Sequence, residues 1–193
     1  MWAQHWLAKE PAFVLHGFLD DNARALEGFS SDLSLVGTPG AFEFQPGDGA
    51  LIAIGNPKTR RAVASVLQGR VTFPILIHPA AIVGPHCQLG EGSIICPTAV
   101  LTTNVRFGKH VIANLGCSIG HDATLGDFTT LSPHVCVSGG ATTGEGVFVG
   151  TNASLVPLVK VGAGSVVGAG SLVLRPVPEG VTVFGLPAKQ HAK

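Results

Sequence analysis

Eight histidines are spread along the 193 residues, at positions 5, 16, 78, 86, 110, 121, 134 and 191. Histidine is the side chain whose ordinary pKa best suits proton transfer near neutral pH. A histidine at a turn is usually a solvated surface group, but the surroundings of His121 set it apart. Thr103 stands eighteen residues before it and Gly139 eighteen after it. If the chain returns to the same edge every eighteen residues, the glycine leaves open space beside the imidazole. It also bares a backbone N–H about 4.8 Å along the axis. A base next to an attacking amine or hydroxyl, with an amide donor facing the developing oxyanion, is an arrangement for acyl transfer. Asn114, on the preceding face, is either a polar group that orients a bound substrate or a corner asparagine using the left-handed backbone region. The four cysteines, Cys87, Cys96, Cys117 and Cys136, include no CxxC pair. Cys87 and Cys117 fall on inward positions, where cysteine acts as a small hydrophobe. Direct attack of the acceptor on an acyl donor is therefore expected, without an acyl-thiol intermediate.

The count of eighteen comes from a repeat. From Ile77 an aliphatic or aromatic residue recurs every six positions: Val83, Leu89, Ile95, Leu101, Phe107, then Ile119 and onward to Val167, with only Ala113 and Thr143 breaking the run among sixteen hexads. Four residues after each stands a small or β-branched residue, such as Ala81, Cys87, Ser93, Ala99 and Ser171. Glycine follows the aliphatic directly in nine hexads, including Gly84, Gly90, Gly120, Gly126, Gly162 and Gly168. A period of six fits neither an amphipathic helix nor a simple alternating strand. It fits a parallel β-helix of short strands, three faces to the coil, with the glycine read as the corner residue. Five such coils stack to about 25 Å.

Composition narrows the function further. Charged residues are 12% of the chain and apolar residues 46%, with Lys+Arg and Asp+Glu equal at 12 each. Zero net charge argues against nucleic-acid binding, which needs basic excess, and the high apolar share argues against disorder. The mean hydropathy of +0.41 does not signify a membrane span, because the apolar stretch 161–174 is too short and is cut by glycine and serine. No secretory leader is visible at the start, and unpaired cysteines suit a reducing cytoplasm.

The repeats Leu89-Gly-Glu-Gly-Ser-Ile94 and Val161-Gly-Ala-Gly-Ser-Val166, with the closing Gly185-Leu-Pro-Ala-Lys189, resemble those of the hexapeptide-repeat, left-handed β-helix acyltransferases. Asn114-Leu-Gly-Cys-Ser-Ile-Gly-His121-Asp122, then Leu125-Gly-Asp-Phe128, is similar to the sugar acetyltransferases of the bacillosamine and sialic-acid-modification type. That resemblance implies a mainly β fold, a left-handed parallel β-helix preceded by a small Rossmann-like α/β domain. It implies His121 as general base with the adjacent acid, Asp122, raising its basicity, where the subfamily's pattern has glutamate. Acetyl-coenzyme A is the implied co-substrate, lying outside the prism between subunits of a homotrimer with contacts at Gly139, Thr151 and Ala169. Pro133, Thr151 and Ala169 form a lane of compact residues on one corner. Thr130 stands where close relatives have a histidine that touches the co-substrate. The expected reaction is N-acetylation of a nucleotide-linked amino sugar, with a 4-amino-deoxy sugar favoured. The alternatives are O-acetylation, a metal hydratase of the γ-carbonic-anhydrase type, or a non-catalytic trimeric scaffold. The hydratase needs a histidine pair five residues apart, which this chain lacks, and no metal site is expected.

The domains expected are 1–76, α/β and nucleotide-sugar-binding; 77–176, the β-helix; and 177–193, a tail. In the first, Trp2–Lys9 reads as a helix remnant, Phe13–Leu19 as a strand and Ala50–Ile54 as a short buried strand. A helix is predicted to Gln68, with Asn56 as N-cap and Pro57 at its first position. Ligands of parallel sheets sit at the carboxyl ends of strands, which places Asp20, Asp21, Gly55 and Asn56 there. Asp20-Asp21-Asn22 also reads as a plain turn. Gly17-Phe-Leu-Asp-Asp21 and Ile52-Ala-Ile-Gly-Asn56 match the subfamily, implying that Asp20 and Asp21 lie near the base or ribose and Gly55 close to it. The subfamily's first strand and glycine-rich turn have no counterpart here, so weak nucleotide-sugar binding is expected.

Overall fold

The computed structural model describes residues 14–191. The chain divides into two compact units: the residues up to Asp48 together with Val63–Thr72, and Gly49–Ala62 together with Phe73 onward.

The second unit is a parallel solenoid. Sixteen two-residue strands run from Leu76–Ile77 to Leu172–Val173. Each interior strand pairs in parallel with those eighteen residues away, as Ser118–Ile119 does with Val100–Leu101 and Cys136–Val137. Three sheets result, of four, six and eight strands. The largest is completed by Thr182–Gly185 and by Ala188–Gln190, the latter antiparallel. The second residue of each strand points inward: Ile95, Leu101, Ile119, Leu131, Val137, Val149 and Leu155 are all fully buried. Between their levels lie the smaller Ala99, Val105, Val111, Cys117, Ala123, Val135 and Ala141. Large and small residues thus alternate to fill a prism too narrow for two large ones. The two interruptions keep the register: Ala113 is buried, and the Thr143 hydroxyl is satisfied inside by Thr129 Oγ1 at 3.0 Å.

The corners correct one sequence expectation. The glycine after the aliphatic is not the residue with unusual φ. Positive φ falls two positions later, at every sixth residue without interruption from His86 to Gly170. Nine of these fifteen residues are not glycine, among them Asn104 (56°), His110 (54°), Asp122 (60°) and Phe128 (58°). The preceding glycines serve close approach instead: a Cβ on Gly120 would lie 2.6 Å from the Gly139 amide nitrogen of the next coil.

The first unit is built on two short parallel strands, β1 (Phe18–Leu19) and β2 (Leu35–Gly37). A Cβ on Gly17 would lie 2.5 Å from Val36 Cγ1 and 2.8 Å from Ser34 O, so the crossing tolerates only glycine. Arg70 donates to Pro39 O and Phe42 O and lies over the Phe44 ring, closing the loop after β2. Helix α1 (Pro57–Leu67) straddles the two units. Its cap is as expected, with Asn56 Oδ1 accepting from the N–H of Lys58 (3.0 Å) and Thr59 (3.1 Å). Such a cap typically contributes about 1 kcal/mol.

Two strands differ from expectation. Of Phe13–Leu19, only Phe18–Leu19 is strand, and Phe13, like Trp2–Lys9, lies outside the described residues. Ala50–Ile54 forms no strand. At its end the carbonyls of Ile54 and the following Gly55 accept from the Arg60 guanidinium rather than from a neighbouring strand. Among the described residues, no helix is long and apolar enough to cross a membrane.

Candidate active site

His121 lies just after the strand Ser118–Ile119, at the residue before a corner with positive φ. Its Nδ1 is 2.7 Å from Asp122 Oδ2, with both side chains more than half exposed (68% and 58%). The hydrogen bond from His121, then one from Asn104, hold the Asp122 carboxyl below its usual range. An ionised carboxylate only accepts, so Nδ1 is the donor in this pair. Nε2 faces Gly139, where a Cβ would stand 2.5 Å from Nε2 and 2.7 Å from Cε1. The eighteen-residue count therefore placed Gly139 correctly against the imidazole. Thr103 also falls one coil earlier, its carbonyl accepting from the Asp122 N–H at 3.1 Å.

The remaining residues singled out from sequence are distributed as follows. Asn114 is half-buried; its Nδ2 donates to Leu131 O at 2.9 Å and its Oδ1 is 3.9 Å from Cys96 Sγ. Thr151 and Ala169 stand on a different corner from Gly139: they precede the positive-φ residues Asn152 and Gly170, whereas Gly139 precedes Gly140. Backbones run close there, with a Cβ on Gly150 falling 2.6 Å from the Ala169 nitrogen. Asp20 and Asp21 are exposed after β1, and Asp20 Oδ1 accepts from the Asn22 N–H at 2.8 Å in a turn of its own. The same unit holds an open cavity of about 470 Å³ lined by His16, Val36, Phe42, Glu43, Gln45 and Asp48, and neither aspartate lines it.

Thr130 is buried, and its hydroxyl donates to Gly55 O at 2.8 Å while accepting from Arg60 at 2.9 Å. Cys117 is buried, its thiol pushed up to about 12 by desolvation, and Cys96 to about 11 for the same reason. Neither is a thiolate near neutral pH. Among the described residues no three His, Cys, Asp or Glu side chains are grouped as metal ligands.

Sequence reasoning missed two residues. Asn104 Nδ2 donates to Asp122 Oδ1 at 3.2 Å; applying the eighteen count to Asp122, as to His121, would have found it. Arg60 is fully buried, and among the described residues no carboxylate pairs with it. Its guanidinium donates to the carbonyls of His110, Ile54, Gly55, Phe128 and Thr129 and to the Thr130 hydroxyl. Burial lowers its pKa to about 10, still a cation near neutral pH. The signal was its place on the helix stripe with Ala64 and Leu67, all buried.

No protein-family model matches the chain. It is 30% identical to the acetyltransferase domain of PglB from Neisseria gonorrhoeae FA1090, solved also with acetyl coenzyme A, with a TM-score of 0.88 over 98% of this chain and 93% of that one. PerB from Caulobacter crescentus, solved with CoA and GDP-perosamine, is 29% identical with a TM-score of 0.83, over 91% and 84%. The GDP-perosamine N-acetyltransferase of Escherichia coli O157:H7 is 35% identical over 83 residues, 42% of this chain. That match spans 38% of the relative's length. The three-sheet solenoid and these similarities place the chain among the left-handed β-helix acyltransferases of the hexapeptide-repeat type. Within that superfamily the chain belongs to the sugar acetyltransferases of the bacillosamine and sialic-acid-modification type.

Proposed function

We propose that this chain is an acetyl-coenzyme A-dependent N-acetyltransferase acting on a nucleotide-linked amino sugar of the 4-amino-deoxy class. The observation that carries the reading is the His121–Asp122 pair with Nε2 free above Gly139. The complexes of PerB and of the PglB domain support the two substrates.

The sugar amine attacks the thioester carbonyl directly. A C–N bond forms, the C–S bond breaks, and one amine proton passes to His121 Nε2 and then to the departing thiolate. Products are the N-acetyl sugar and coenzyme A. Asp122 keeps Nδ1–H in place and stabilises the imidazolium as it forms. Gly139, with no side chain, lets the imidazole lie against the next coil and offers a backbone N–H for the oxygen of the reacting carbonyl. Compact residues at Gly139, Thr151 and Ala169 suit a pantetheine arm passing close to backbone. Asp20, Asp21, Gly55 and Asn56 are assigned to the nucleotide sugar, and Asn114 to orienting the acceptor or the thioester. Asn56 Oδ1 is occupied by its helix cap, which leaves its amide N–H₂ for a ligand. Thr130, committed to Gly55 and Arg60, takes no part in co-substrate binding in this reading.

A homotrimer completes the co-substrate cleft. Its support is the exposed apolar surface of the solenoid, including Leu158 (75% exposed) and Leu174 (50%). A 19.7 kDa species in sedimentation at micromolar concentration would overturn the trimer. A cytoplasmic location goes with the reading, supported by four cysteines that are all unpaired.

The deciding experiment is thiol release from acetyl-coenzyme A against a panel of nucleotide amino sugars. The expected result is turnover with a 4-amino-deoxy sugar and an alkali-stable amide product. A base-labile ester would assign O-acetylation, and no thiol release with any acceptor would overturn the enzyme reading.

A further inference from the structure

Asn104 and Asp122 occupy the same corner one coil apart, both with positive φ. Side chains at such corner positions lean toward the coil before: His110 toward Gly92, His134 toward Gly116 and Leu158 toward Gly140. Asp122 leans the same way, onto Asn104, while His121, one residue earlier, leans forward onto Gly139. The carboxylate is thus held at two points, Oδ1 by the Asn104 amide and Oδ2 by His121 Nδ1. The backbones beneath are tied as well, Asp122 N–H to Thr103 O at 3.1 Å and Asn104 N–H to Pro85 O at 3.2 Å.

We propose that Asn104 is a positioning residue: it fixes the rotamer of Asp122, so that the second carboxylate oxygen stays on His121 Nδ1 and the imidazole keeps Nε2 toward the reacting carbonyl. This rests on His121 being the base. The physical need is plain. Two half-exposed groups joined by one hydrogen bond are weakly held in water, and aspartate has a shorter reach than glutamate. A second anchor from the coil below removes the competing rotamers. The other charged group acting on Asp122 is Arg106, alongside His121 itself, and Asn104 adds no charge to that set.

If Asn104 served only to fill a left-handed corner, glycine would do so at no cost. Asn104→Gly therefore keeps the corner and deletes the amide, while Asn104→Asp keeps the shape and sets a like charge against Asp122. Turnover of the full-length chain, its pH profile and its thermal unfolding are measured for both variants beside His121→Ala. Both variants are expected to unfold within a few degrees of the parent. For Asn104→Gly, kcat falls about tenfold, within the loss that misplaced groups cause, and the acidic limb of kcat/KM moves to lower pH as the imidazole loses its oriented carboxylate. For Asn104→Asp the limb moves to higher pH, because a second carboxylate favours the imidazolium. Parental kcat and pH profile in both variants, with His121→Ala inactive, overturns the positioning role and leaves the base intact. A fully active His121→Ala removes the base reading, and this proposal with it.

Discussion

His110 and His121 stand at corners of the same solenoid and share a side-chain type, yet their surroundings give them opposite properties. His110 is 3% exposed and lies between Phe73 (ring centroids 4.7 Å, edge-on) and Phe128 (5.0 Å, stacked). Among the described residues its Nδ1 has no hydrogen-bond partner, and desolvation lowers its pKa, with Arg60 and Lys109 also lowering it against Glu91 and Asp127. It is a neutral ring used as an aromatic spacer. His121 is largely in solvent, bonded to a carboxylate, with the opposite nitrogen facing Gly139. Corner position and the two covering rings separate the roles. His110, with positive φ, leans back onto Gly92 of the coil before and is buried there because Phe73 and Phe128 cover it, whereas Asp122 and Leu158 lean back and stay exposed. His121, one residue before a positive-φ corner, leans forward and stays accessible. A base must exchange protons with solvent and substrate, so only the second setting suits catalysis.

The largest test of that contrast pairs the two alanine variants. His121→Ala is expected to lose about 10²–10⁴-fold in kcat with coenzyme A affinity and melting temperature nearly unchanged. His110→Ala is expected to reverse this, keeping kcat at a permissive temperature while losing about 2 kcal/mol or more of stability from the emptied ring space. Steady-state kinetics and urea unfolding on both variants decide it; the same phenotype in both would erase the contrast.

Arg60→Met sharpens the buried side. It leaves the Ile54, His110 and Phe128 carbonyls without that donor, while Gly55 O keeps the Thr130 hydroxyl, and unsatisfied buried acceptors cost ~1–3 kcal/mol each. A loss of about 3 kcal/mol in unfolding free energy is expected. Stability within 1 kcal/mol of the parent would mean that water replaces the guanidinium.

Gly139→Ala sharpens the exposed side. Gly139 has no positive φ, so the backbone accepts alanine, and the three atoms nearest the added methyl all belong to the His121 ring, Nε2 at 2.5 Å. A fall of about tenfold in kcat is expected from displacing the ring, with unfolding unchanged. Parental turnover would show that Nε2 does not work across this glycine.

The smallest effect is a pH dependence of stability from His110. Its folded pKa lies below the ordinary 6.5, so above that pH the folded and unfolded chains bind equal protons at this site. As pH falls through 6.5, only the unfolded chain takes up the proton, and stability drops until pH passes the folded value. Unfolding followed between pH 8 and pH 5 should show this decline, and it should shrink in His110→Asn.

Within the chain, the repeat was the most legible feature. Inward positions recur at fixed spacing, and their alternation of large and small is a volume requirement that any sequence filling this prism must show. Counting by eighteen then carried His121 onto Gly139, because stacked parallel strands keep register without insertions. The corner conformation was misassigned for a physical reason. Glycine meets two needs here, close backbone approach and positive φ, and composition does not distinguish them; nine of the positive-φ residues are not glycine at all.

The sequence by itself determined the solenoid, its core, the neighbours of His121 and the cap of α1, because each depends on local spacing or on a strictly periodic register. The tertiary structure alone decided what breaks that period. Arg60, read locally, is a charge on a helix; only the folded chain brings carbonyls from residues 54–55, 110 and 128–129 around it. Thr130 turns away from solvent because Gly55 and Arg60 claim its hydroxyl. Ala50–Ile54 has strand-like composition but no ladder, since strand pairing is a property of two segments and never of one.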